Sequence, residues 1–312
     1  MIQRTIRRLA SALGVALVFG LAATAGSAST TPESTARSQG QYNPPPILAN
    51  VPPALARACG SQSRKIGAIK KRGTLNWAIG VSPPFGFKLP NGQWAGIEAQ
   101  NAAELAKILG VKFKITDYSY DVLPQTLVIG KADIIGAQLF VTDARKKVID
   151  FSTPYYKSGQ LFYVLKDSPY QTIADLNKSD VKFVYGTGGG QIVLAQKYIP
   201  NANIFDAPLR GQLLLYDFLV ARQADATMTE AAPMKVIFQK FNNPPLAAIG
   251  LKGRVAGTRA TADEILDPFD VAFGLPKGDR GWRTCVNAWV NNMLTTGRLN
   301  KRLDYWLRQN VA

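Results

Sequence analysis

The sequence predicts an α/β protein of two lobes, each built around a largely parallel sheet. From about Ile66 onward, short β-rich runs alternate with helical patterns, as crossover connections between parallel strands require. A middle block and the blocks flanking it each repeat that alternation at a length that can close a sheet. Of the 312 residues, 46% are hydrophobic and 10% aromatic, with a mean hydropathy of −0.03. That is enough apolar surface for one large or two small cores, and too much for a disordered chain.

Each element has its own signal. TLNWAIGV (74–81) reads as a strand, and PPFGF (83–87), with two prolines, as a loop. GIEAQNAAELAKILG (96–110) sets Ile97, Ala102, Leu105, Ala106 and Leu109 on one helical side and stops at Gly110. VKFKITDY (111–118) alternates as a strand, VLPQTLVIGK (122–131) is a short helix, and ADIIGAQLF (132–140) is a buried strand. VKFVYGTGGGQIVLAQKYIP (181–200) reads as strand, glycine turn and helix. LLLYDFLVARQ (213–223) and ADATMTE (224–230) follow as helix and strand. Residues 284–309 are helical, interrupted near Gly297. Trp282, Trp289, Tyr305 and Trp306 stand at near-helical spacing and read as packing residues.

Several chemistries are excluded by composition. The chain has no histidine, which removes His-based catalytic triads, HExxH zinc sites and imidazole pH switches. With two cysteines, Cys-rich zinc and iron–sulfur sites go as well, and no metal or cofactor is expected. Arg4, Arg7 and Arg8 precede an apolar run from about Leu9 to Ala23 and then small residues, the pattern of a signal peptide over residues 1–28. Ala23-x-Ala25 and Gly26-x-Ala28 both fit cleavage, and a cut near Ala28 is preferred. The predicted location is therefore periplasmic, or otherwise secreted. Cleavage takes three arginines and no acid, lowering the net charge from +16 to +13. Scattered basic residues on an exported chain suit an anionic envelope better than nucleic acid.

Residues 29–63 are rich in Pro, Ser, Thr and Ala and lack a sustained apolar period, so they read as a mobile or surface-hugging extension. In an exported protein, Cys59 and Cys285 are expected to pair and to tie this extension to the C-terminal helix.

Three features carry chemical potential. The turn GTGGGQ (186–191) follows a strand and opens a helix, where backbone amides can converge on an anion. It satisfies neither dinucleotide nor P-loop spacing; a carboxylate site and an empty flexible turn both fit it. Arg145, directly after a buried strand, can present its fork to a carboxylate or be a surface residue of a turn capped by Thr142. Glu230, just past a strand, can hold an ammonium or be an exposed loop acid. Tyr120, Phe85, Trp77, Trp94 and Phe140 cluster near strand ends.

Taken together, GTLNWAIGVSPPFGF, NGQWAGIEAQNAAELAKILGV, LPQTLVIGKADIIGAQLFVTDARKKVIDFSTPYY, ARQADATMTEAA and VAFGLPKGD resemble the periplasmic solute-binding proteins of polar amino-acid ABC transporters, solute-binding family 3. The run Gly130–Tyr155 is similar to that family's GxxD, TxxR and DFSxPYY signature, and the likeness extends over roughly residues 64–310. The resemblance implies a two-lobed clamshell with two hinge strands (type II), lobe I from 64–157 plus 263–312 and lobe II from 158–262. It implies a monomer that captures an amino acid or similar small zwitterion between the lobes and hands it to an ABC transporter permease, without catalysis. Arg145 then corresponds to the carboxylate anchor, Thr187 and Gly188 to the second lobe's donors, Glu230 to the ammonium acceptor and Tyr120 to an aromatic wall. Departures fall at Phe140 and its neighbour Gln138, where a serine is usual, at Ser82 or Phe85 for an aromatic, and at Gln100 for an acid. Gln100 argues against a cationic ligand side chain, and Phe140 for a partly apolar one. The same fold also resembles cyclohexadienyl dehydratases, which eliminate water and carbon dioxide from prephenate or arogenate and need a proton donor. A sensory or scaffold role with an altered cleft is a third alternative.

Overall fold

Gly73, in the left-handed conformation (φ 71°), ends α2 (Arg64–Arg72) and turns the chain directly into β1 (Thr74–Ile79). β1 pairs in parallel with β4 (Lys112–Asp117) on one side and β5 (Ile134–Ile135) on the other. β14 (Gly274–Leu275) and β6 (Asp150–Phe151) complete the order β4-β1-β5-β14-β6. Because β14 comes from near the C-terminus, this lobe is assembled from both ends of the chain. The computed structural model describes residues 42–60, 62–208, 214–230, 245–255 and 263–309, together with the single positions 234 and 238. The expected signal peptide lies outside the described residues.

The second sheet runs β12 (Gly253–Arg254), β11 (Leu246–Gly250), β7 (Tyr156–Leu165), β10 (Ala226–Glu230), β8 (Lys182–Gly186), β9 (Asn203–Ala207). It is mixed where a largely parallel sheet was expected: β10-β8-β9 are parallel, whereas β7 is antiparallel to both β10 and β11. β7 shows period-two burial at work. Phe162 and Val164 enter a core with Phe183 and Met228, while Leu161, Tyr163 and Leu165 enter the opposite one with Val184 and Leu219.

Two strands connect the sheets. The start of β7 pairs antiparallel with β13 (Leu266–Val271), matching Tyr156 with Val271, Lys157 with Asp270 and Ser158 with Phe269. β7 continues into the second sheet, while β13 leads back toward β14 in the first. The molecule is thus a two-lobed clamshell with a two-stranded hinge.

Of the expected extension, residues 29–41 lie outside the described residues, and the described part from Tyr42 on is docked. Tyr42 packs its ring 5.3 Å from that of Trp306, Gln100 Nε2 donates to the Pro45 carbonyl (2.7 Å), and the Leu48 amide donates to Glu104 Oε2 (2.9 Å). α1 (Pro53–Cys59) lies on the helix Arg280–Thr295, and a disulfide joins Cys59 to Cys285. The apolar residues Tyr42, Leu48 and Leu55 are each buried without a regular period among them, so periodicity gave no sign of docking.

A second departure matters for function. The strand expected over 132–140 is laddered only at Ile134–Ile135. At Gly136 the Trp77 ring occupies the place of a side chain, since a Cβ there would sit 2.0 Å from it. Two residues later Gln138 adopts φ 50°, uncommon for any residue with a Cβ. The chain therefore leaves the sheet and carries Gln138 and Phe140 to the boundary between the lobes.

Candidate functional site

Thr142 caps α5 (Asp143–Val148), its hydroxyl accepting from the Arg145 amide. Arg145 is the one buried residue of that helix. Its Nη1 donates to the Phe140 carbonyl (2.7 Å) on its own lobe and its Nη2 to the Gly188 carbonyl (2.8 Å) on the other. Among the described residues no carboxylate pairs with it. Burial without a counter-charge pushes its pKa down to about 10, opposed by Tyr120.

The facing loop leaves β8 at Gly186. The Thr187 amide donates to the Ala207 carbonyl (2.9 Å) and its hydroxyl to Asp206 Oδ2 (2.6 Å). The Thr187 amide and hydroxyl are thus both engaged by β9. Gly188 (φ 75°) brings its backbone against Asp121, where a Cβ would stand 2.3 Å from the Asp121 Cα; only glycine allows this approach of the lobes. Gly190 caps α7 (Gln191–Tyr198), its carbonyl accepting from the Val193 amide (3.2 Å), while the Gln191 and Ile192 amides have no acceptor within the helix. Between loop and arginine lies a cavity of about 500 Å³, counting the part open to solvent. Tyr120, Gln138, Phe140, Arg145, Gly186, Thr187, Gly189, Gly190, Gln191 and Leu215 line it. The glycine turn signalled part of this wall; Leu215 and Gln191 carried no sequence signal of their own.

Glu230 lies elsewhere than expected. It ends β10 opposite Gln160 of β7, fully buried and behind the cavity wall rather than on it. Its Oε2 accepts from Gln138 Nε2, and the side chains of Ser158 and Gln160 stand beside the carboxyl. Burial raises its pKa to about 8, against the pull of Ser158 and Gln160. Burial thus favours the protonated form, and the acid is neither an exposed loop carboxylate nor among the described residues that line the cavity. Gln138, which covers it, is pinned on three sides. Its amide donates to Glu98, its Oε1 accepts from Ser82 Oγ (3.3 Å), and its Nε2 is on Glu230. Glu98 is itself buried and raised to about 7 by that burial, with Tyr155 donating to its Oε1 at 2.5 Å.

Of the remaining expected residues, Tyr120 lines the cavity and donates to the Ala137 carbonyl (3.0 Å), while Phe140 stacks on Phe269 with ring centroids 4.8 Å apart. Phe85 and Gln100 do not reach the cavity. Phe85 is a core residue packed on Tyr156, and Gln100 faces the opposite side of its helix, bound to Pro45 and Trp306. Gln100 therefore says nothing about the ligand's side chain. No group of three Cys, Asp or Glu side chains among the described residues is placed to hold a metal ion.

The family model of the bacterial extracellular solute-binding proteins, family 3, matches residues 75–309. The chain belongs to that family. Two curated proteins are among those similar to it. The cyclohexadienyl dehydratase of Pseudomonas aeruginosa is 24% identical over 79% of this chain and 87% of its own length. The L-cystine-binding protein TcyJ of Escherichia coli K12 is 28% identical over the same shares. Among solved structures, the amino-acid ABC transporter substrate-binding protein AbpA of Streptococcus pneumoniae, bound to L-arginine, superposes with a TM-score of 0.67 at 26% identity, covering 79% of this chain and 99% of that one. In this family 3 protein the cavity lies where the two lobes meet, with its arginine on one lobe and its glycine loop on the other.

Proposed function

We propose that this protein is an exported, monomeric solute-binding protein. It takes a small amino-acid-like carboxylate into the interlobe cleft and presents the closed form to an ABC transporter permease. Lobe I comprises 64–157 with 263–312, and lobe II comprises 158–262. The observation that carries this reading is Arg145. A buried guanidinium on a cavity wall, with only carbonyls for partners and no acid beside it, is poised to gain a bidentate anion. The α7 amides add donors from the other lobe, so a bound carboxylate contacts both lobes only when they are together, and closure is selected by the ligand.

The test is a thermal-shift screen of amino acids and small carboxylates followed by calorimetry. A ligand at ~100 times its dissociation constant stabilises by about 2.7 kcal/mol, and Arg145→Ala removes that gain. An undiminished shift in the variant overturns the assignment.

One observation favours a second reading, an enzyme on the same fold. Glu230 is a neutral, buried carboxylic acid, the form a proton donor needs, and a dehydratase is among the relatives. Against it stands the Gln138 amide between Glu230 and the cavity. Incubation with prephenate decides: phenylpyruvate formed at a rate lost in Glu230→Gln establishes the enzyme, and its absence retains the binding role.

A further inference from the structure

An amino acid brings two charges into a cleft, and this cleft is built for one. Arg145 offers a cation on the cavity wall, and the α7 amides add partial positive charge from the other lobe. No Asp or Glu is among the described residues that line the cavity. The acid that stands nearest in the sequence argument, Glu230, is sealed behind the side chain of Gln138. An ammonium entering here would lose its water without gaining a carboxylate, beside a guanidinium of like charge, which is costly.

The cover is held in place. To expose Glu230, Gln138 must give up its bonds to Glu230 and Ser82, and its backbone, at φ 50°, is fixed by the bond from its amide to Glu98. A residue held in an uncommon backbone conformation by two side-chain bonds and one backbone bond is part of the site's architecture. Beyond the arginine the cavity offers Phe140 and Leu215, which suit an apolar body.

We infer that Gln138 sets the ligand class: with Gln138 over Glu230, the cleft takes small carboxylates whose neighbouring substituent is uncharged, hydroxy or keto acids with an apolar body, in preference to the corresponding amino acids. This rests on the cleft reading above and narrows it. The raised pKa of Glu230 agrees, since a neutral acid offers no counter-charge to an ammonium.

The experiment compares matched skeletons on the full mature protein at neutral pH by calorimetry: L-phenylalanine with phenyllactate and phenylpyruvate, and L-leucine with hydroxyisocaproate and ketoisocaproate. The expected result is binding of the uncharged member of a set about tenfold or more tighter than its amino acid. Gln138→Gly removes the cover and suits the positive φ, so the fold is retained; it should shift the ratio toward the amino acid by about tenfold. An amino acid that binds wild type more tightly than its hydroxy and keto partners, with Arg145→Ala abolishing the heat, overturns this inference and leaves the cleft reading intact. A ratio unmoved in Gln138→Gly also overturns it. No heat from any member of either set, with wild type and Arg145→Ala alike, overturns the cleft reading and this inference with it.

Discussion

Arg302 and Arg145 are both withdrawn from water, and among the described residues only Arg302 has an acid beside it. Arg302 sits inside lobe I, bonded to Glu104, to Asn101 Oδ1 (2.9 Å) and to the Met293 sulfur (3.3 Å). Glu104 in turn accepts from Arg298 (3.2 Å), the Trp289 indole (2.9 Å) and the Leu48 amide of the extension. This cluster ties α3 (Ile97–Leu109), the C-terminal helices and the extension into one body. Arg145, at the lobe boundary, has two carbonyls and open space. The difference teaches how to sort buried charge: a compensated one holds architecture together, and an uncompensated one at a cavity is a candidate for ligand binding.

The sharpest way to break this contrast is Glu104→Ala. It strands Arg302 in the core, releases the indole of Trp289 and frees Leu48, so a loss of about 3 to 5 kcal/mol in chemical denaturation is expected. A loss below about 1 kcal/mol would make the cluster ornamental and remove the basis for treating Arg302 and Arg145 differently.

Pairing also decides the pH response. Burial is the largest influence on Glu104 and pushes its pKa up, yet Arg302, the Trp289 and Leu48 donors and Arg298 together hold it below its ordinary value. Its contribution is present above about pH 4.5 and is lost as pH falls through the lowered value. Glu98 and Glu230 behave oppositely. Raised to about 7 and about 8, they keep protons that the unfolded chain releases near pH 4.5. Their contribution is full below that value and is lost as pH rises through the native ones. Unfolding free energy should therefore fall by a few kcal/mol between about pH 5 and about pH 8.5, and Glu230→Gln should flatten part of that slope. A slope unchanged in Glu230→Gln would mean that this acid is ionised in the folded protein, and would reopen the route for an ammonium.

The two regions were unequally legible in the sequence. The elements named from the sequence followed from alternation and periodicity, whereas Arg145 stayed open between a carboxylate fork and a surface turn until its burial excluded the surface reading. Three things were hidden. The docking of Tyr42 and Leu48 has no period, because each fills a separate gap. The turning of Gln100 toward Pro45 and Trp306 depends on which face of a helix meets a segment distant in sequence. The sealing of Glu230 depends on the φ of a single residue, Gln138, which no propensity marks in a run that otherwise reads as strand. Motif position located the acid; only packing revealed that it is covered.

The smallest expected effect tests the other side of the comparison. Arg145→Met keeps much of the side chain's volume and removes a buried cation that no carboxylate offsets. The hydrogen bonds to the Phe140 and Gly188 carbonyls are lost, worth about 1 kcal/mol each, but so is the cost of keeping the guanidinium out of water. The two contributions nearly cancel, so the unfolding free energy of the ligand-free variant should lie within about 1 kcal/mol of wild type, while the ligand-induced thermal shift disappears. Denaturant titration without ligand reads the first, and the carboxylate screen reads the second. If the ligand-free protein instead loses as much as Glu104→Ala does, Arg145 is a strut between lobes like Arg302 within one, and the cavity beside it must find its purpose in other residues.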